Sequence, residues 1–321
     1  MKFKIAAVLT FSVALSGGAY ANDLSNGPEG NVVIQSREVD GLTEFVSGAG
    51  RPIELEIKIK LPREAGPDSR VPAFVILHGG GGTDDAREET LADFLQENGV
   101  AGVVVDTFGS RGIRGRDFYD MWSRAFVADQ SADAIAALEA LQTHPSIDPS
   151  RIFVVGASMG AWTAMVLHST GTQGFAGYVG LYGPCTWAAP VAASDTPILL
   201  LQGGSDSSIS VNQCSSYIDA IKSAGGSAEL VVYPNAAHTF IHKGLPSGTL
   251  EGFDLTGGNC EWSISADGTV TGNRSGNRAT TDRAFINDIF QACAKKGGLT
   301  YNYDREAQQD AFQRILNMAK K

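Results

Sequence analysis

The stretch Gly156-Ala157-Ser158-Met159-Gly160 sets a serine between small residues, just after the apolar run Arg151–Val155 and just before a helical pattern over Met159–Ser169. In that strand–turn–helix context, G-x-S-x-G makes a sharp turn that lifts the serine oxygen clear of the backbone, where it can attack an acyl carbon. A serine hydroxyl alone is a weak nucleophile. It needs a base, and the base needs a carboxylate to fix its tautomer. Asp206 follows the apolar run Ile198–Leu201, and His238 follows the run Glu229–Tyr233. Both stand past the C-terminal ends of expected strands, where ligands gather in open parallel sheets. The rival acid, Asp195, precedes its strand and so belongs at the wrong end; the rival base, His242, stands farther from its strand end. Ser158 is therefore read as the nucleophile, His238 as the base and Asp206 as the orienting acid.

Acyl transfer also needs a place for the oxyanion. His78-Gly79-Gly80-Gly81-Gly82 ends the apolar run Ala73–Leu77. Glycines there let a backbone amide face the substrate with no side chain between them. The expected donors are the amide of Met159, next to the nucleophile, and that of Gly79 or Gly80. His78 reads as a packing residue of this loop, and His144 and His168 read as structural. The chemistry needs no cofactor and no metal, and none of the four cysteines has a zinc-like spacing.

These residues must be carried by a suitable scaffold. Ile53–Lys60 alternates apolar and charged residues, the period of a half-exposed strand. Beyond it the chain alternates between strand and helix: Ala73–Leu77, then helix Asp84–Asn98; Val100–Val105, then helix Phe126–Gln142; Arg151–Val155, then helix Met159–Ser169. Gly177–Tyr182, Ile198–Leu201, the helix Val211–Ala224 and the strand Glu229–Tyr233 complete the series. Continuous apolar strands separated by amphipathic helices imply a mostly parallel sheet with helices on both faces, in one α/β domain over residues 22–321. The segment 243–278, rich in Gly, Ser, Thr and Asn, breaks this rhythm. Trp262–Thr271, with Asp267-Gly268 inside it, reads as a small hairpin insertion near the C-terminus. Helices are expected over Thr281–Lys295 and Arg305–Lys320.

The 321 residues are 43% hydrophobic and 19% charged, which excludes disordered and fibrous classes. A net charge of −10 argues against nucleic acid or an anionic membrane surface as partner. Lys2 and Lys4, the apolar run Ile5–Leu15 and Ala19-Tyr20-Ala21 fit a secretory signal peptide over residues 1–21. No later segment is apolar for long enough to span a bilayer, so a periplasmic or secreted product is expected. In such a compartment the even cysteine count suggests two disulfides. The placement of the cysteines predicts Cys185–Cys214, near one sheet edge, and Cys260–Cys293, tying the insertion to the helix that follows it.

Over residues 71–241 the sequence resembles the dienelactone hydrolase family of α/β hydrolases. The likeness rests on His78–Gly82, Asp106 followed by Arg111-Gly112, Asp148–Ile152 leading into Gly156–Gly160, the Gly203–Asp206 loop and Ala237–Phe240. The resemblance implies the α/β-hydrolase fold and a hydrolase whose triad is Ser158, Asp206 and His238. The family's namesake enzymes carry cysteine in the turn, so Ser158 moves the chemistry toward ordinary esters or lactones. In the family one arginine near this point and another four residues after the catalytic histidine hold the substrate carboxylate. The resemblance thus implies substrate contacts for Arg111 and, in place of the second arginine, His242. Phe108, Tyr182 and Trp187 are the candidate pocket aromatics. The reading is an exported serine hydrolase acting on a small-molecule ester. Two alternatives stand beside it: a prolyl-oligopeptidase-like peptidase, which usually carries a large N-terminal gating domain, and a non-catalytic secreted binding protein on a hydrolase scaffold.

Overall fold

A computed structural model describes residues 22–114, 118–188, 195–255 and 260–320; the expected signal peptide lies outside them. The backbone of the fold is an eight-stranded sheet made of β1 (Gly30–Glu38), β2 (Arg51–Lys60), β3 (Val71–Leu77), β4 (Ala101–Val105), β5 (Ile147–Ala157), β6 (Tyr178–Leu181), β7 (Ile198–Gly203) and β8 (Ala228–Tyr233). Their order is β1-β2-β4-β3-β5-β6-β7-β8; the first two pairings are antiparallel and the rest parallel. The central strands β3 and β4 are buried along their whole length, as runs of Val, Ile, Leu and Phe between two helical layers must be. β2 shows the expected alternation of buried and open residues, because it stands second from the edge. This is the α/β-hydrolase fold.

The helices among the described residues are α1 (Leu42–Ser47), α2 (Thr90–Glu97), α3 (Thr107–Ser110), α4 (Phe118–Arg124), α5 (Val127–Thr143), α6 (Met159–Ser169), α7 (Val211–Ser223), α8 (Asp282–Asp288) and α9 (Arg305–Ala319). α2 is entered through a π-helical turn, Asp85–Glu89, whose cap Asp84 accepts from the Ala86 amide at 2.8 Å. α5 and α6 run through the interior, and nearly every residue of α6 is buried. Trp162 of α6 packs edge-on against Phe126 and Trp262 and lies 5.8 Å from the Phe285 ring, centroid to centroid. Aromatic pairs of this kind add about 0.5–1.5 kcal/mol each beyond their buried area, so α6 is fixed to the C-terminal segment.

That C-terminal segment departs most from expectation. The hairpin forms around Asp267-Gly268, as β10 (Trp262–Ile264) and β11 (Val270–Gly272), and β12 (Arg278–Ala279) adds a third strand. The helix expected over Thr281–Lys295 stops early. α8 passes into a π-helical turn, Ile289–Cys293, and Lys295 begins β13 (Lys295–Tyr301), which pairs antiparallel with β9 (Gly248–Asp254). Glu229–Tyr233 is therefore not the last strand. The insertion and the C-terminal segment form one ribbon, because Gly297-Gly298 and the β-favouring Thr300 and Tyr301 suit an extended edge better than a helix. Two disulfides brace this side: Cys185–Cys214, with Cα atoms 4.9 Å apart, and Cys260–Cys293, with Cα atoms 5.0 Å apart.

Candidate active site

β5 ends at Ala157 and α6 begins at Met159, which leaves Ser158 alone at the turn with φ 53°. A non-glycine residue holds this left-handed conformation only where its surroundings over-determine it. Here they do. A methyl group on Gly156 would sit 2.0 Å from the Gly160 carbonyl oxygen, and one on Gly160 would sit 2.5 Å from that of Leu77. The Ser158 amide donates to the Leu181 carbonyl of the neighbouring strand at 2.9 Å.

The residues expected to act with Ser158 meet it. His238 Nε2 lies 3.0 Å from Ser158 Oγ, and His238 Nδ1 lies 2.7 Å from Asp206 Oδ2. With Nδ1–H donating to the carboxylate, Nε2 is left to accept the serine proton. Asp206 and His238 are both buried, so solvent competes little for these bonds. The other carboxylate oxygen, Asp206 Oδ1, accepts from the amides of Ser208 (2.9 Å) and Ile209 (3.2 Å), which fixes the rotation of the group. Asp195, the rival acid, is exposed before β7.

The glycine loop faces the same space. Gly79, Gly80, Gly81, Ser158, Met159 and His238 all line one cavity of about 270 Å³. Met159 opens α6, so its amide lacks an intrahelical partner. Among the described residues no backbone carbonyl accepts from the amides of Gly79 or Gly80. His78 lies behind the loop, fully buried, with Nδ1 2.7 Å from the Gly79 carbonyl oxygen and its ring edge-on to Phe108. Burial holds its imidazole below the usual histidine range, in the neutral form. Gln130 of α5 donates to the His78 carbonyl at 3.1 Å and accepts from Thr163 of α6 at 2.8 Å, so it couples the loop to the helix after Ser158. No sequence signal marked this buried amide.

Two expectations about substrate contacts fail. Arg111 does not line the cavity: the turn α3, capped by Asp106, carries its side chain the other way. There it is 4% exposed, bidentate to Asp133 (2.7 and 3.1 Å) and 3.2 Å from Asp129. A guanidinium buried against two carboxylates is a structural clamp, so the carboxylate-binding role implied for it is withdrawn. Burial pushes Asp129 up to about 7 in spite of Arg111. Of the expected aromatics, only Tyr182 lines the cavity. Phe108 packs on His78 and Trp187 on Phe285. His242 does line it, with Nε2 3.4 Å from Asp84 Oδ2.

The walls that sequence reasoning missed are Trp122, Trp162 and Ile209, with Leu255, Leu299 and Tyr301 from the ribbon. Arg87 is the cavity's guanidinium, but Glu88 holds it at 2.7 Å and it donates to the Gly82 carbonyl at 2.7 Å. Burial works against its charge, but Glu88, Tyr182 and Asp84 together more than offset that, so it stays protonated.

A sequence profile of the dienelactone hydrolase family matches residues 61–254. The chain belongs to this family. The match carries Ser158, Asp206 and His238 but ends before β10, so the hairpin and β13 lie beyond it. A structure from Klebsiella pneumoniae subsp. pneumoniae MGH 78578, proposed to be a dienelactone hydrolase, covers 90% of this chain and 99% of its own at 16% identity and a TM-score of 0.54. Thermogutta terrifontis esterase 2, in a form phosphoramylated by tabun, covers 60% of this chain and 82% of its own at 19% identity and a TM-score of 0.50. Both likenesses concern the fold. An uncharacterized peptidase, YuxL of Bacillus subtilis (strain 168), is 24% identical over an alignment 227 positions long that covers 58% of this chain. The match spans only 33% of that relative's length.

Proposed function

We propose that this family member is an exported serine hydrolase that cleaves carboxylic esters or lactones through an acyl-enzyme at Ser158. The observation that carries the reading is the unbroken hydrogen-bond chain Asp206–His238–Ser158, opening on an apolar cavity beside the glycine loop. His238 takes the Ser158 proton as the oxygen adds to the acyl carbon, and Asp206 stabilises the imidazolium. The amides of Met159 and of Gly79 or Gly80 receive the oxyanion. His238 then protonates the departing alkoxide, water displaces the acyl group by the reverse steps, and Ser158 is restored. The N-terminal sequence pattern and the two disulfides support export.

The peptidase name of the Bacillus relative keeps peptide bonds as a second class to test. The cavity walls favour esters with a short apolar or aromatic acyl group. Ser158→Ala should lower ester turnover by on the order of 10⁴ to 10⁶ while leaving the circular dichroism spectrum unchanged. A variant that kept a tenth of the wild-type rate would contradict the reading. Peptide cleavage faster than ester cleavage would favour the second class.

A further inference from the structure

β13 does more than wall the cavity, because its single residue Thr300 touches both loops that carry the acid–base pair. On the acid side, Thr300 Oγ1 accepts from the Ser207 amide at 3.2 Å and lies 3.0 Å from the Ser205 carbonyl oxygen, while the Thr300 amide donates to Ser207 Oγ at 2.9 Å. Ser207 Oγ in turn donates to the Gly298 carbonyl at 2.8 Å. On the base side, the Thr300 carbonyl accepts from the His238 amide at 3.1 Å. One residue thus spans the Asp206–His238 hydrogen bond from outside.

The neighbouring contacts extend the strap in both directions. Asn302 Oδ1 accepts from the Ala237 amide at 2.7 Å, its Nδ2 donates to the Asn235 carbonyl at 3.2 Å, and its amide donates to the His238 carbonyl at 3.3 Å. From the β9 side, the Leu255 amide donates to the Ser208 carbonyl at 3.1 Å. The amides of residues 207, 208 and 209 are then all engaged, the first by Thr300 and the other two by Asp206 Oδ1. Residues alternate along a strand, and here Leu299 and Tyr301, on either side of Thr300, line the cavity.

We propose that Thr300 is a positioning residue of the acid–base pair: its hydroxyl and its carbonyl fix the separation of the Asp206 turn and His238, so that Nε2 stays aligned on Ser158. This rests on the hydrolase reading above. It assigns a reaction role to a strand beyond the part of the chain matched to the family. Thr300 touches none of the reacting atoms, so it acts through Asp206 and His238. A misalignment of this kind lowers turnover more than substrate binding.

The test compares Thr300→Val, which keeps shape and loses the hydroxyl, with Thr300→Ser, which keeps the hydroxyl. Three readings are taken on the full chain with both disulfides formed: kcat and KM on a short-chain ester, Tm, and the low-field ¹H NMR resonance of the His238 Nδ1–H, assigned by its loss in Asp206→Ala. Thr300→Val should lower kcat about tenfold, which corresponds to about 1.4 kcal/mol, with KM within about twofold. It should also shift or broaden the low-field resonance, and Thr300→Ser should restore both kcat and the resonance. Wild-type kcat and an unmoved resonance in Thr300→Val would overturn the proposal. So would a Thr300→Ser variant that melts like the wild type yet stays as impaired as Thr300→Val. The resonance reports the Asp206–His238 bond whether or not the chain cleaves esters, so failure of the hydrolase reading and failure of this one are separate results.

Discussion

At the Ser158 turn, backbone packs on backbone: Gly156 meets Gly160, Gly160 meets Leu77, and there is no room for a side chain at either position. At the Asp206 and His238 loops the fixing contacts are hydrogen bonds, many of them delivered from β13 and from Asn302 just after it, almost a hundred residues later than Asp206. The first region is set by steric exclusion, which is all-or-none. The second is set by polar contacts near the surface, each worth about 0.5–1.5 kcal/mol, which yield by degrees. The Ser158 turn should therefore tolerate no change of shape, whereas the Asp206 and His238 loops should lose alignment gradually as contacts are removed one at a time.

The largest expected effect tests the steric side. Gly160→Ala should either fail to accumulate as folded protein or lose at least about 10²-fold in kcat/KM, since the Ser158 turn must shift to admit the methyl. Soluble yield, circular dichroism and ester turnover measure this, and near-wild-type turnover would break the contrast. A smaller effect is expected from Asn302→Ala, which strips the Ala237 amide of its acceptor. Turnover should drop severalfold, and denaturant unfolding should show a loss of about 1–3 kcal/mol. A loss as complete as that of Gly160→Ala would show that the loops are as brittle as the turn.

The same contrast explains which parts could be read from the sequence. Gly156–Gly160, the His78–Gly82 loop and the acid and histidine loops are signalled locally, each by a few residues next to an apolar strand. Their meeting then follows from the sheet. The cysteine pairs were also legible, because Cys185 and Cys214 lie near one sheet edge and Cys260 and Cys293 join the insertion to the helical segment that follows it. β1 was missed, since its apolar residues alternate too weakly to mark an edge strand. β13 went unread between two expected helices, because its short polar stretch acquires meaning only when β9 and the Asp206 and His238 loops lie beside it. Arg111 shows the opposite error. Its position after β4 pointed at the site, but direction is decided by Asp129 and Asp133 on α5, and no local pattern reveals that pairing.

The smallest effect on turnover is expected at that buried pair, away from both regions. Burial raises Asp129 to about 7 from an unfolded value near 3.8. Between these values the folded chain holds a proton that the unfolded chain has released, so this group lowers stability as pH rises from about 4 to 7. The slope is at most about 1.4 kcal/mol per pH unit for one proton. Asp129→Asn should flatten that slope in denaturant melts at pH 5, 6 and 7 while turnover stays within about threefold. An unchanged slope would assign the pH dependence to other groups.

The proposed function depends first on Ser158 being the nucleophile activated by His238. Incubating the purified protein with a fluorophosphonate and mapping the adduct by peptide mass spectrometry tests it in one measurement. The prediction is one adduct per chain, on Ser158, with labelling lost in His238→Ala and slowed by on the order of 10² or more in Asp206→Asn. No adduct, an adduct on another residue, or equal labelling rates in all three proteins would contradict it.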